Sequence, residues 1–225
     1  MRPILLLRPE PGASLSAARA ADMGIEGVET LPLFKVRPID WTPPDPKRFD
    51  AILMTSANAA RHGGEGLKAL RHLPVQAVGE STAAAARAAG LMVDEIGSGG
   101  VDALLERLPP DCRLLHLAGQ HRRAPASASQ TIVPLAVYSS VTRDDPPGLE
   151  RLAGAIAVVH SPRAGKRLAE LCDREGIDKS GIAVASISED ACPPDRLDWE
   201  DVAVASAPRD RELLQLAAHL RDNSA

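Results

Sequence analysis

Two stretches decide the fold: Ala51-Ile52-Leu53-Met54-Thr55-Ser56-Ala57-Asn58-Ala59 and Ile156-Ala157-Val158-Val159-His160-Ser161-Pro162-Arg163-Ala164. In each, an unbroken apolar run stops at a polar residue and a hydroxyl, and a helix-compatible segment begins at once. Variants occur at Val75-Gln76-Ala77-Val78-Gly79-Glu80-Ser81-Thr82 and at Val202-Ala203-Val204-Ala205-Ser206-Ala207-Pro208. A short, wholly apolar run is what a strand covered on both faces looks like. A Ser or Thr directly after it is a helix N-cap. Helix starts carry unpaired N–H groups and partial positive charge, which suit anions. Repeated in two related halves, the pattern predicts a ligand with several negative charges, held at strand ends between two domains.

The rest of the chain alternates in the same way. Strands are predicted at Ile4–Leu7, Val28–Leu31, Val93–Ile96, Leu114–Leu117 and Ile182–Ala185. Helices are predicted after Ser14 as N-cap, at Ser81–Ala89, Val101–Leu108, Pro162–Asp173 and Asp210–Leu220, with Gly24 and Gly90 as stops. Strands alternating with helices imply parallel sheets with helices on both faces. Two segments read differently: Leu33–Ile39 and Leu135–Ser139 alternate with a two-residue period. Each lies next to a Pro-rich turn, Thr42-Pro43-Pro44-Asp45-Pro46 or Asp144-Asp145-Pro146-Pro147-Gly148. They are read as a two-stranded linker, at about 33–39 and 135–141. It divides a discontinuous domain, 1–35 plus 141–225, from an inserted one, 36–140. Residues 121–130 read as loop.

Composition narrows the function. The chain has 225 residues, 44% of them hydrophobic, but only 2% aromatic, too few for a base-stacking platform. Net charge is −4, so no global basic field draws in nucleic acid or a membrane surface. A polyanionic ligand would need local positive sites. Cys112, Cys172 and Cys192 show no disulfide or zinc spacing and fit reduced thiols in a cytosol. The apolar run at Ile4–Leu7 is too short for a signal peptide or a membrane span.

The usual nucleotide and hydrolase signatures are missing. Arg8-Pro9-Glu10-Pro11-Gly12 stands where a dinucleotide fold has its glycine fingerprint, and proline lacks the N–H a pyrophosphate uses. No Walker, Gly-x-Ser-x-Gly or His-Glu-x-x-His sequence occurs, and the six histidines are scattered. The ordered series of short motifs is more telling. It runs through Leu7-Arg8-Pro9, Thr55-Ser56-Ala57-Asn58-Ala59, Ala77-Val78-Gly79-Glu80-Ser81-Thr82-Ala83 and Ala88-Ala89-Gly90. It continues with Gly100-Val101-Asp102-Ala103-Leu104, Leu115-His116-Leu117-Ala118-Gly119, Val137-Tyr138 and His160-Ser161-Pro162-Arg163-Ala164. It ends in Val204-Ala205-Ser206-Ala207-Pro208 with Leu213-Leu214. Taken together, over nearly the whole chain, this series resembles the uroporphyrinogen-III synthases of tetrapyrrole biosynthesis.

The resemblance implies two Rossmann-like or flavodoxin-like parallel-sheet domains, a two-stranded linker, a cleft between the domains, and no cofactor or metal. It implies a cytoplasmic, monomeric lyase acting on hydroxymethylbilane, an open tetrapyrrole with four acetates and four propionates. A hand-over from hydroxymethylbilane synthase would supply the substrate. The reaction removes the substrate's hydroxyl, inverts ring D through a spiro intermediate and closes the macrocycle. Eight carboxylates match the repeated helix starts. The competing reading is a non-catalytic tetrapyrrole or polycarboxylate binding module of the same fold.

Candidate substrate contacts are Thr55, Ser56, Ala57, Asn58, Gly79, Ser81, Thr82, Gly119, Ser161, Pro162, Ser188 and Ser206, with Arg8, Arg163 and Arg209 as carboxylate partners. The plainer reading of the hydroxyls is capping alone, and of the arginines, solvation. Arg122-Arg123 reads as a solvated charge run. The resemblance makes Tyr138 the candidate for assisting departure of the hydroxyl; the plainer reading is a packing residue. His160 and Arg209 replace hydroxyls common in the family, and Pro193-Pro194 must shorten any helix after Ser188.

Overall fold

The computed structural model describes residues 1–121, 125 and 128–223. Arg122 and Arg123 lie outside the described residues. The elements, in chain order, are β1 (Ile4–Leu6), α1 (Gly12–Asp22), β2 (Val28–Thr30), β3 (Phe34–Pro38), β4 (Ala51–Met54), α2 (Ala57–His62), β5 (Val75–Val78) and α3 (Glu80–Ala88). They continue with β6 (Val93–Gly97), α4 (Val101–Leu105), β7 (Arg113–Gly119), β8 (Thr131–Thr142), β9 (Ile156–Val159), α5 (Pro162–Glu175), β10 (Ala183–Ser186), β11 (Asp201–Val204) and α6 (Asp210–Asn223). The fold is α/β. The chain forms two units, Met1–Lys35 with Thr142–Ala225, and Val36–Val141.

The first unit is built on a five-stranded sheet in the order β11-β10-β9-β1-β2. Its pairs are parallel, with Ile4 opposite both Val28 and Ile156, and Ala183 opposite both Ile156 and Asp201. Alternate residues feed two cores. Leu5, Leu7, Ala157, Val159 and Val184 pack with Leu168, Leu171 and Cys172 of α5 on one face. Ile4, Leu6, Ile156, Val158 and Ala185 pack with Ala20 of α1 and Leu213, Leu214 and Ala217 of α6 on the other. Double coverage is why these strands carry no polar alternation.

The second unit has the order β3-β8-β7-β4-β5-β6. From β8 to β6 the pairs are parallel, with Ala51 opposite Leu114 and Ile52 opposite Val75. Ile52, Met54, Val75, Ala77, Leu115 and Leu117 pack against alanines of α2 and α3. Ala51, Leu53 and Leu114 pack against Leu104 and Leu105 of α4. Because the parallel strands of each sheet run together, their carboxyl ends share one rim.

Several boundaries differ from the expectations, each for a local reason. Helix α1 starts at Gly12 with Pro11 as its cap, not after Ser14. The Glu10 carboxylate accepts from Ser14 N at 3.1 Å and Ser14 Oγ at 2.8 Å, so Glu10 satisfies the helix start and Ser14 is a donor. The segment after Ser56 is helical only to His62 and continues as a 3₁₀ turn, Gly64–Leu70, with Gly64 at φ +61° breaking the α geometry. Helix α3 is capped by Gly79 at φ +90°, so Ser81 lies inside the first turn and is not the cap. Strand β8 has 12 residues where the alternation marks five; a parallel partner, β7, extends it at the N-terminal end, where Thr131 to Pro134 lie opposite Arg113 to His116. After Ser188 only a 3₁₀ turn forms, Glu189–Ala191, as the two prolines require.

Candidate functional site

On the rim of the second unit, β4 ends at Met54 and α2 begins at Ala57. Ser56 caps that helix, its Oγ accepting from Asn58 N at 3.2 Å. Thr55 is tied from below, its Oγ1 3.1 Å from Nε2 of the buried His116 on β7. The buried Asn58 Oδ1 has no partner among the described residues. On the neighbouring strand, Gly79 accepts from Thr82 N and Ala83 N, both at 3.1 Å. The N–H groups of Glu80 and Ser81 precede any intrahelical acceptor, as helix geometry dictates. Ser81 is exposed and Thr82 is buried. The structure thus places Thr55–Asn58 and Gly79–Thr82 at the ends of adjacent strands.

Gly119 and Tyr138 meet on the same rim. They are opposite in the β7–β8 ladder just after a register shift, and Gln120 N donates to Tyr138 O at 2.9 Å. A Cβ on Gly119 would lie 2.9 Å from Tyr138 Cε2 and Cζ and 3.0 Å from Oη. The absent side chain is what lets the ring lie there. The ring is half-buried, its centroid 6.4 Å from that of His62, and its hydroxyl makes no hydrogen bond among the described residues.

On the rim of the first unit, Ser161 caps α5, its Oγ accepting from Ala164 N at 3.3 Å, and Pro162 takes the first helical position. Pro there gives up an N–H that has no helical partner anyway. The Arg163 guanidinium lies over the Phe34 ring, 4.9 Å from its centroid, and partial burial lowers its pKa. Ser188 makes no capping bond, and Ser206 is exposed. Arg209 is exposed and pairs with Glu212 Oε1 at 2.7 Å.

A polar cluster that sequence reading missed gathers beside Arg8. Asp210, the first residue of α6, accepts from His160 Nε2 at 2.7 Å and from Ser16 Oγ at 2.8 Å. It also pairs with Arg19 and, at 3.5 Å, with Arg8. Burial alone would raise the Asp210 carboxyl. The hydrogen bonds from His160 and Ser16, with the charges of His160 and Arg8, outweigh it and hold the group well below the usual carboxylate range. Burial lowers the His160 pKa, partly offset by Asp210. Burial also lowers that of Arg8, against the pull of Asp210. The only sequence signal was an acidic residue in a helix first turn. Residues 8, 16, 19, 160 and 210 have no local pattern to join them.

Among the described residues, no group of three or more His, Cys, Asp or Glu is placed to hold a metal ion. Nor is any helix among them long and apolar enough to cross a membrane.

Doubly covered parallel sheets with helix starts and arginines at the carboxyl rim define an α/β protein whose strand ends present N–H groups and positive charge of the kind that suits anions. The family model described as uroporphyrinogen-III synthase HemD matches residues 16–215. The chain belongs to the uroporphyrinogen-III synthase family. It is similar in fold to the uroporphyrinogen-III synthetase of Helicobacter pylori, with a TM-score of 0.61 and 19% identity, covering 98% of this chain and 100% of that one. The native wild-type uroporphyrinogen III synthase of the extremely thermophilic bacterium Thermus thermophilus matches at a TM-score of 0.42 and 17% identity, over 100% of both chains. No curated protein matches the chain significantly.

Proposed function

We propose that the strand-end residues of the two units carry out the family's reaction in this chain. That reaction is a lyase reaction: hydroxymethylbilane loses water, ring D inverts, and the macrocycle closes to uroporphyrinogen III. Nothing in the family match favours the non-catalytic binding module. In the proposed assignment, the helix starts at Ser56–Asn58, Glu80–Thr82 and Ser161–Arg163 receive acetate and propionate carboxylates through the backbone N–H groups of Ala57, Glu80, Ser81 and Arg163. Each such contact contributes about 0.3–1 kcal/mol when exposed and more when partly buried. Arg8, Arg163 and Arg209 add charge, and Gly119, Ser188 and Ser206 complete the rims.

The observation that carries this reading is the placement of the candidate residues immediately past the carboxyl ends of parallel strands. A chain of net charge −4 can hold an octacarboxylate there, because fixed dipoles replace net charge. Loss of the substrate's hydroxyl leaves an azafulvene stabilised by its own pyrrole nitrogen, so the protein's chief task is orientation. Hydroxymethylbilane also closes by itself without inversion. A hundredfold preference for inversion corresponds to about 2.7 kcal/mol between the competing transition states.

Tyr138 is assigned the hydrogen bond to the departing oxygen, since its hydroxyl has no partner among the described residues. Tyr138→Phe should lower kcat by about ten- to several-hundredfold and leave the type III selectivity intact. The assignment further takes the protein to be a cytoplasmic monomer that takes hydroxymethylbilane from its synthase. The direct test is isomer analysis of the product from fresh hydroxymethylbilane, without metal or nucleotide. The type III isomer is expected. Type I alone, where a known synthase makes type III, would replace catalysis with ligand binding.

A further inference from the structure

The cluster around Asp210 holds more positive charge than that carboxylate needs. Both of its oxygens are engaged: Oδ1 by His160 at 2.7 Å and Ser16 at 2.8 Å, Oδ2 by Ser16 at 3.0 Å and by Arg19. Arg8 Nη1 reaches Ser16 Oγ at 3.1 Å and Oδ1 at 3.5 Å. Arg8 and Arg19 nevertheless keep 33% and 49% of their side-chain surface exposed. Each commits only Nη1, and the Nε and Nη2 groups of both make no hydrogen bond among the described residues. That edge of a guanidinium is the fork that grips a carboxylate with two parallel bonds.

The start of α1 sets where the Arg8 guanidinium lies. A Cβ on Gly12 would stand 2.5 Å from Arg8 Nε and 3.0 Å from Nη2, so an alanine there would displace that guanidinium. Ser16 and Arg19 are three residues apart on one face of α1. Side chains on a helix lean toward its N-terminus, which directs both toward the carboxyl end of β1.

We propose that Arg8 and Arg19 together form a receptor for one carboxylate of the tetrapyrrole, with Asp210 as the positioning residue that holds the two guanidiniums side by side. The proposal rests on the substrate class assigned above and adds Arg19, Gly12 and Asp210 to it. Asp210 itself does not touch the ligand. Its charge offsets the repulsion between two cations and leaves one in surplus.

Two measurements test this: steady-state kinetics with hydroxymethylbilane, and affinity for the octacarboxylate uroporphyrin III followed by porphyrin fluorescence. Arg19→Ala should raise KM and weaken porphyrin binding by about tenfold or more, the scale of one charge-assisted hydrogen bond, with kcat within about twofold. Arg19→Lys should recover part of the loss. Gly12→Ala should weaken binding similarly without loss of melting temperature, because alanine suits a helix start better than glycine. Arg151→Ala removes a surface arginine that pairs with Glu29, and should change neither constant. Wild-type KM and porphyrin affinity in both Arg19→Ala and Gly12→Ala would overturn the receptor. Porphyrin binding that is sensitive to Arg19, in a wild-type protein that makes no type III isomer, would uphold the receptor and overturn the catalytic reading instead.

Discussion

Gly119→Ala tests whether the position of the Tyr138 hydroxyl matters, because it displaces the ring while keeping the hydroxyl. The added Cβ would stand 2.9 Å from Cε2 and Cζ and 3.0 Å from Oη. Carbon atoms pack without repulsion from about 3.5 Å, so the ring must withdraw by roughly 0.6 Å or more. Gly119 does not adopt a positive φ, so the backbone accepts alanine and the cost is steric. Overpacking of this kind destabilises by about 1–3 kcal/mol. A misplacement near 1 Å can cost about a hundredfold in rate. The expected result is a kcat lowered about ten- to a hundredfold, not exceeding the loss in Tyr138→Phe, with KM changed much less. Single-turnover formation of the type III isomer, beside urea unfolding of the same variant, separates the two effects. A destabilised Gly119→Ala with wild-type kcat would refute the reasoning and make Tyr138 a packing residue.

Ser56→Ala and Ser161→Ala each remove a capping oxygen and should cost about 1 kcal/mol in urea unfolding, while kcat falls less than tenfold and the product stays type III. Loss of type III selectivity in either would show that the hydroxyl, not the backbone, directs the substrate. Stability should fall with acid in two steps. The folded pKa values of His160 and Asp210 lie below their ordinary values, so the unfolded chain binds more protons as pH drops. The contribution is complete above about pH 7, fades first below the ordinary histidine value of about 6.5, and fades again below the ordinary aspartate value of about 3.9. His62 is shifted the same way, so the test is the difference between wild type and His160→Gln in unfolding across pH. The same slope near pH 6 in both would remove His160 from the account.

Much of the fold was legible because buried parallel strands write themselves as short apolar runs. Ala51–Met54, Val75–Val78 and Ile156–Val159 fall where the runs do. Helix starts were legible where a hydroxyl caps them, as at Ser56 and Ser161. They were misplaced where the cap is a glycine or where the satisfying carboxylate comes from upstream, as at Gly79 and Glu10. The length of β8 was hidden, since Thr131 and Ile132 owe their strand geometry to β7 rather than to their own alternation. In the candidate site, short motifs pointed to the rims. The Asp210 cluster could not be read, because Ser16 and Asp210 are 194 positions apart and meet only through packing of α1 against α6. His160 stood out in sequence only as a departure from a common hydroxyl, and its partner supplies the reason.

Strand β1 sits between β9 and β2, so the centre of the first sheet joins the two ends of the chain around a complete second unit. On a ribosome adding about 5–20 residues per second, β9 is made roughly 6–25 s after β2. Throughout that interval Leu5, Leu7, Leu31 and Leu33 have no α5 to cover them. Residues 36–141, where β4 to β7 pair among themselves, can fold within it. The order of synthesis thus favours a ripe insertion carried by an unfinished host, with the N-terminal apolar segment the natural target for a chaperone until Ile156–Val159 arrives.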